Sequence, residues 1–273
     1  MLLVVATVYE EGEPMDYEHL RCERDGGFVT ITLARPERRN CLSTGVLTEL
    51  HHVFSATGEM SDVSGIVLAS TGSVFSAGHD LAEMVEMTEE ELRQLFEVCT
   101  VAMRSMAEVP QVVVAQVQGV ATAAGAQLAA SADLIVASED ASFSTPGGKG
   151  GLFCHTPMVA VARQIGRKRA VELALTGGEI PAATALDWGL VNRVVAHDDL
   201  ESETLEFLRY ATRGSRYAKG LGKQTLYAQL EMTTDDAYDL AVDVMSRAAA
   251  TGDGAEWPRA FVAKRKPEWT HTE

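Results

Sequence analysis

The hydrophobic positions change period along the chain. Over residues 28–33 (FVTITL) apolar and polar side chains alternate and β-branched residues dominate, which predicts a strand with one face buried. Residues 66–70 (IVLAS), 112–117 (VVVAQV) and 134–137 (LIVA) are short unbroken apolar runs rich in Val and Ile. That is the pattern of strands covered on both faces. Between them the spacing turns helical, over residues 44–57, 88–108 and a small-residue segment, 122–131. Ser43 and Thr88 are the predicted N-caps, Thr88 with Glu91 three residues later as a capping box. From about residue 166 the pattern is helical almost throughout, broken at Thr176-Gly177-Gly178, Pro181, Gly189, Gly214 and Gly252-Asp253-Gly254. Residues 254–266 predict a last short helix, with Lys264, Arg265 and Lys266 where positive charge complements the helix dipole.

The elements therefore predict an α/β core over residues 17–200, a helical C-terminal region over 201–273 and a loose N-terminal extension over 1–16. No Ser/Pro-rich linker, low-complexity tract or fixed-period repeat divides the 273 residues. Hydrophobic residues make up 46% and charged residues 23%, enough apolar material for a substantial core. Lys plus Arg number 23 against 39 Asp plus Glu, a formal charge of −16. A field of that sign repels phosphate backbones and argues against nucleic-acid partners, so an anionic ligand needs a local basic patch. No apolar run approaches the ~20 residues of a membrane span.

Residues 1–6 are apolar but carry no preceding Lys or Arg and run into Glu10, Glu11 and Glu13, unlike a secretory or mitochondrial leader. Met15 is a second possible start. The four cysteines (Cys22, Cys41, Cys99, Cys154) are widely spaced and form no C-x-x-C pair, which reads as free thiols of a reducing compartment. The expected location is the cytoplasm.

Several chemistries lack their motifs. There is no G-x-S-x-G nucleophile elbow, no H-E-x-x-H zinc helix and no G-x-x-x-x-G-K-[ST] phosphate loop. The seven histidines are scattered, and no metal is expected. Gly147-Gly148-Lys149-Gly150-Gly151 does not match G-x-G-x-x-G and reads as a flexible loop.

Two segments stand out: residues 74–84 (VFSAGHDLAEM) and 118–133 (QGVATAAGAQLAASAD). Each follows a buried strand and leads into a helix. A helix start leaves backbone N–H groups unpaired and partially positive, and two such starts facing one another make an anion hole. Ala77, Gly78, Ala123, Ala124 and Gly125 are small enough to let a ligand reach the backbone. The same Ala/Gly-rich composition also fits tight helix packing alone. Composition alone favours the packing reading.

The chain resembles the enoyl-CoA hydratase/isomerase, or crotonase, family from about Tyr17 onward. The matching pieces are Arg35-Pro36-Glu37 with Asn40, Phe75-Ser76-Ala77-Gly78-His79-Asp80-Leu81, and residues 119–133. Residues 143–146, Leu175-Thr176-Gly177, 185–191 (ALDWGLV) and Phe261-Val262-Ala263-Lys264-Arg265 follow in the family's order. Residues 121–125 and 151–154 look most like a mitochondrial subgroup. The resemblance implies a crotonase-type spiral of ββα units over 17–200 and a trimerisation role for 201–273, in a homotrimer or a dimer of trimers. It implies an acyl-CoA substrate, with coenzyme A as part of that substrate and no permanently bound cofactor.

It further implies that the backbone N–H groups of His79 and Ala124 hold the thioester oxygen as it becomes an enolate. Fixed donors in a dry pocket do this well, each worth roughly 2.7–4 kcal/mol. The His79 side chain is then either a spare imidazole beside the site or turned outward. Arg35 and the stretch Ser76, Ala77, Asp80, Leu81 and Ala82 match the coenzyme A side; Phe261 and Lys264 match a C-terminal pair near the nucleotide. The family's two catalytic glutamates fall on Gln127 and Gly147 here. A Gln amide does not titrate near neutral pH and Gly has no side chain, so efficient hydration is not expected. General acid–base groups contribute about 10²–10⁴-fold each. Of the neighbouring groups, Asp80 is expected to cap the next helix, Glu83 to face solvent, and His155 to be the preferred substitute. The chain is thus expected to be an enzyme of the hydratase/isomerase type. The competing activities are decarboxylation of a malonyl-type acyl-CoA, thioester hydrolysis with His79 or His155 as base, residual hydratase or isomerase activity, and acyl-CoA binding by an oligomer without turnover.

Overall fold

A computed structural model of the protein describes residues 17–272; the expected N-terminal extension lies outside them. The strands are β1 (Leu20–Asp25), β2 (Phe28–Leu33), β3 (Gly65–Ser70), β4 (Val74–Ser76), β5 (Val112–Val117), β6 (Val120–Thr122), β7 (Leu134–Ser138), β8 (Ser142–Ser144), β9 (Glu179–Pro181) and β10 (Arg193–Val195). The helices are α1 (Thr44–Gly58), α2 (Leu81–Met84), α3 (Glu89–Glu108), α4 (Ala124–Ala130), α5 (His155–Gln164), α6 (Arg167–Thr176), α7 (Ala182–Trp188), α8 (Leu200–Ala211), α9 (Arg216–Gln229), α10 (Thr234–Ala250) and α11 (Gly252–Val262).

Two sheets organise the molecule. The larger has the order β1-β2-β3-β5-β7-β10, the smaller β4-β6-β8-β9. Three strands of the first, β3, β5 and β7, are each followed by a short strand of the second and then by helix: β3-β4-α2-α3, β5-β6-α4, β7-β8-α5. Those are successive turns of a ββα spiral. Strand period 2 sorts the core onto two faces. Ile31, Ile66, Leu68, Val113 and Ala115 pack with Leu47, Leu50 and Phe54 of α1, whereas Val67, Val112, Val114 and Val136 face Leu200 and Leu208 of α8. This is why the central strands read as unbroken apolar runs.

The predicted caps are present. Ser43 accepts from the Val46 amide, and Thr88 and Glu91 form both halves of a capping box. Strand β1 was not apparent in the pattern because it is an edge strand with mostly exposed side chains. Its signal is the turn: β1 and β2 pair up to Asp25↔Phe28, so Gly26-Gly27 is a two-residue hairpin loop, with Gly26 at φ +55°.

In the C-terminal region α8 packs on the large sheet, and a Cβ on Gly65 would meet Leu208 at 2.6 Å. Helix α9 is pinned by the buried Lys223, whose Nζ donates to the carbonyls of Met106 and Gln111 at 2.6 and 2.7 Å and pairs with Asp133 at 2.8 Å. The last helix ends at Val262, short of the predicted residue 266, and Arg265 turns back to pair with Glu256. On α10 and α11 the side chains of Tyr238, Val242, Met245, Trp257, Phe261 and Val262 stand exposed.

Candidate active site

Strands β4, β6 and β8 are parallel neighbours in the small sheet. Neighbouring strands lie about 4.8 Å apart, so the turns that follow them are brought side by side. Those turns carry His79 after β4, Ala124 after β6 and Gly147 after β8. Residues far apart in sequence are thus assembled by strand order.

The His79 turn is held in a parallel bridge with Leu42. The Leu42 amide donates to the Gly78 carbonyl at 2.8 Å, and the Asp80 amide to the Leu42 carbonyl at 3.3 Å. Bonding at 78 and 80 directs the N–H of His79 to the opposite side. The Ala124 amide is freed by a different device. Ala123 sits at φ 52°, ψ −121°, a conformation costly for a residue with a Cβ, and its own N–H is taken by the Ser144 carbonyl at 2.9 Å. Helix α4 therefore starts at Ala124 with its first N–H lacking an intrahelical acceptor.

Glycine lets the two turns touch. A Cβ on Gly78, which is at φ +83°, would lie 3.0 Å from the Ala124 nitrogen. One on Gly125 would lie 2.2 Å from the Ser76 carbonyl oxygen. The glycines serve tight packing, and that packing seats the His79 turn against the start of α4.

Beside them opens a cavity of about 510 Å³, lined mostly by apolar groups including Leu81, Met84, Phe96, Leu152 and Phe153. Asp and Glu do not occur among its lining residues. His79 lines it, so its ring is not turned out to solvent. The ring meets Phe96 edge-on at 5.3 Å, and Nε2 is buried without a hydrogen-bond partner. Burial pushes this imidazole below its ordinary pKa, against the smaller opposing pull of Glu83, so it is neutral at pH 7.

The family glutamate positions differ from each other. Gln127 is 5% exposed on α4, its Oε1 has no partner, and it is not among the cavity-lining residues. Gly147 lies in a 3₁₀ turn over Pro146–Lys149 rather than a flexible loop, because residues 152–154 fold back against it. A Cβ there would meet the Leu152 carbonyl oxygen at 2.1 Å and the Cys154 Sγ at 2.9 Å. The Gly147 amide donates to that Sγ at 3.3 Å, and burial raises the Cys154 thiol so that it stays protonated. Residue 147 thus has no room for a larger side chain in this conformation. His155 opens α5, lines the cavity, is exposed, and lies against Phe153 at 5.0 Å.

Asp80 caps α2 by accepting from the Ala82 amide at 3.1 Å. Glu83 does not face solvent as expected: it accepts from the Thr44 amide at 3.0 Å, because the open N-terminus of α1 lies within reach of α2. Ala77 and Leu81 line the cavity, Ala82 is exposed, and Ser76 is buried with its hydroxyl donating to the Asn40 carbonyl at 2.8 Å. Arg35 lies away from the lining, with Nε 4.0 Å from Glu37. Phe261 is exposed at the end of α11, and Lys264 follows at φ 52°. Neither lines the cavity within one chain. Sequence reasoning did not find Phe96 or Cys154 as parts of the site; only their apolar spacing was visible.

A spiral of ββα turns, with the His79 turn packed against the start of α4 beside an apolar cavity, defines the class. A family model described as enoyl-CoA hydratase/isomerase matches residues 23–272, and the chain belongs to that family. It is 41% identical over 246 residues to the mitochondrial enoyl-CoA hydratase domain-containing protein 3 of Mus musculus, covering 90% of this chain and 82% of that protein. The crystal structure of the human protein of that name shares 40% identity at a TM-score of 0.89, over 92% of this chain and 100% of the other. A crystal structure of an enoyl-CoA hydratase from Mycobacterium smegmatis shares 42% identity at a TM-score of 0.90, over 93% of this chain and 99% of that one. The subgroup resemblance is thereby supported across most of the chain.

Proposed function

We propose that the protein binds acyl-CoA thioesters and stabilises the derived enolate with the backbone N–H groups of His79 and Ala124, by chemistry that does not run through a carboxylate pair. The observation that carries this reading is the contact between the two turns: Gly78 has room for nothing larger before it meets the Ala124 nitrogen. Two dipoles aimed at one point lower the energy of charge that develops there, without reorganisation at the moment of reaction. The coenzyme A side is assigned to Arg35 and to the backbone, not the side chains, at Ser76, Ala77, Asp80, Leu81 and Ala82, with Phe261 and Lys264 reaching the nucleotide in the assembly. Coenzyme A enters and leaves as part of the substrate.

The absence of Asp and Glu from the cavity lining favours decarboxylation of a malonyl-type thioester over hydration. The bond from the acyl α-carbon to the carboxylate breaks, its electron pair passes to the thioester as an enolate held by the two amides, and carbon dioxide leaves. The α-carbon then takes a proton from water. No general base is required. Single-turnover mass spectrometry with enoyl-, malonyl- and saturated acyl-CoA esters tests this. The expected result is loss of CO₂ from the malonyl ester, with the enoyl ester hydrated at least about 100-fold more slowly. Rapid hydration with a bell-shaped pH profile contradicts it; tight binding without turnover reduces the protein to an acyl-CoA carrier.

A homotrimer or dimer of trimers follows from the same reading, since the exposed apolar side chains of α10 and α11 need covering. Light scattering reads the mass directly. The cytoplasm remains our proposed location, supported by four unpaired thiols. The relatives named enoyl-CoA hydratase domain-containing protein 3 are called mitochondrial, so fractionation that recovers the protein with mitochondria overturns it.

A further inference from the structure

We infer that the Arg38–Asp80–Cys41 cluster is a positioning device for the hole: it clamps the His79 turn against the loop of residues 35–42 and so sets the separation of the two amides. This rests on the hole proposed above.

The loop is rigid for reasons of its own. Arg39 and Asn40 both have positive φ, 52° and 49°. Asn40 is 2% exposed and bonded on every side: its Oδ1 accepts from the Arg35 amide at 3.0 Å, and its Nδ2 donates to the carbonyls of Thr71 and Val74, each at 2.8 Å. From that anchor the loop grips the turn at successive points. The Ala77 amide donates to the Arg39 carbonyl at 3.0 Å, the Ser76 hydroxyl to the Asn40 carbonyl, and the Leu42 amide to the Gly78 carbonyl.

Asp80 closes the grip. One carboxylate oxygen caps α2 through the Ala82 amide, while the other accepts from Arg38 Nη2 at 2.8 Å and from Cys41 Sγ at 3.3 Å. The carboxylate side chain is 11% exposed, the Arg38 side chain 46%. Burial alone raises the pKa of Asp80, but the bonds from Arg38, Cys41 and the Ala82 amide outweigh it and hold the group below its usual range. At neutral pH the clamp is charged and closed.

The clamp bears on the hole through direct packing. The residues it grips, Ser76 and Gly78, are those whose backbone abuts Gly125 and Ala124 of α4. If the turn relaxes, the His79 N–H moves relative to the Ala124 N–H. No part of the cluster lines the cavity, so it acts through the turn rather than on the ligand.

The test is isotope-edited infrared spectroscopy of butyryl-CoA labelled with ¹³C at the thioester carbonyl, bound to the full-length protein, with Kd measured alongside. The wild type is expected to shift the carbonyl band to lower frequency. Asp80→Asn and Arg38→Ala are expected to lose at least half of that shift while Kd changes by less than about threefold, because hydrogen-bond strength depends steeply on donor placement. Arg104→Ala, which removes an exposed ion pair on α3, is the control and keeps the full shift. Full retention of the shift in both clamp variants overturns the inference and leaves the hole standing. A wild type that binds the ester with no shift, or does not bind it, overturns the hole and the clamp together. Because Arg38 is half-exposed, its variant keeps the test valid if Asp80→Asn fails to fold.

Discussion

The two halves of the proposed chemistry are built on opposite principles. On one side, the proposed donors at His79 and Ala124 are backbone groups, held by bridge geometry, a positive φ at Ala123 and the glycines at 78 and 125. On the other side, the positions that the resemblance matches to catalytic glutamates carry Gln127, which does not line the cavity, and Gly147. A backbone donor survives any substitution that keeps the chain path. A carboxylate is lost in a single change. On the proposed reading, a chain keeps its family's fold and its backbone donors without the carboxylates.

The sharpest way to break the comparison is to attack the backbone side. Gly125→Ala places a Cβ 2.2 Å from a carbonyl oxygen, so α4 must move off β4. Overpacking of this kind costs about 3 kcal/mol, measurable by urea unfolding; a change below about 0.5 kcal/mol contradicts the tight contact. Next in size is repair of the other side. Gly147→Glu is predicted not to restore hydration of crotonyl-CoA, because the Leu152 carbonyl occupies the space of its Cβ, and to destabilise the fold by about 1–3 kcal/mol. An efficient hydratase from this single change, followed by absorbance of the enoyl thioester, shows that the 147–154 segment yields freely.

Two smaller effects come from titration. The Asp80 carboxyl is held low in the folded state, so its contribution is fully present above its unfolded pKa and lost as pH falls through the folded value. Asp80→Asn is therefore expected to flatten the acid limb of a stability profile below about pH 4, and a limb as steep as that of the wild type contradicts this. The His79 imidazole is also depressed, by burial. The unfolded chain binds that proton first, so stability rises with pH through about 6.5 and is lost below it. His79→Asn should remove that step from a melting-temperature series; a step of full size in the variant assigns it elsewhere.

Much of the scaffold was readable in the chain. The unbroken runs at 66–70, 112–117 and 134–137 marked strands buried on both faces, and Ser43 and Thr88 marked helix starts that the structure bears out. Strands β4, β6 and β8 are only three residues each, too short for a periodic signal, and yet they deliver the site. Which turns meet is decided by strand order, which no local pattern encodes. The role of Glu83 was misread for a related reason: its partner, the Thr44 amide, is a backbone group 39 residues away. The crowding at Gly147 was invisible too, since a glycine-rich run looks flexible until its neighbours fold over it.

The central claim is that the two amides hold an enolate, and the most direct measurement is the acidity of a bound 3-oxoacyl-CoA, read from the ultraviolet band of its enolate across pH. Stabilisation by the hole predicts that binding lowers the pKa of the ligand by roughly 2 units or more, the equivalent of one well-placed donor. A ligand that binds with its pKa unchanged contradicts the account.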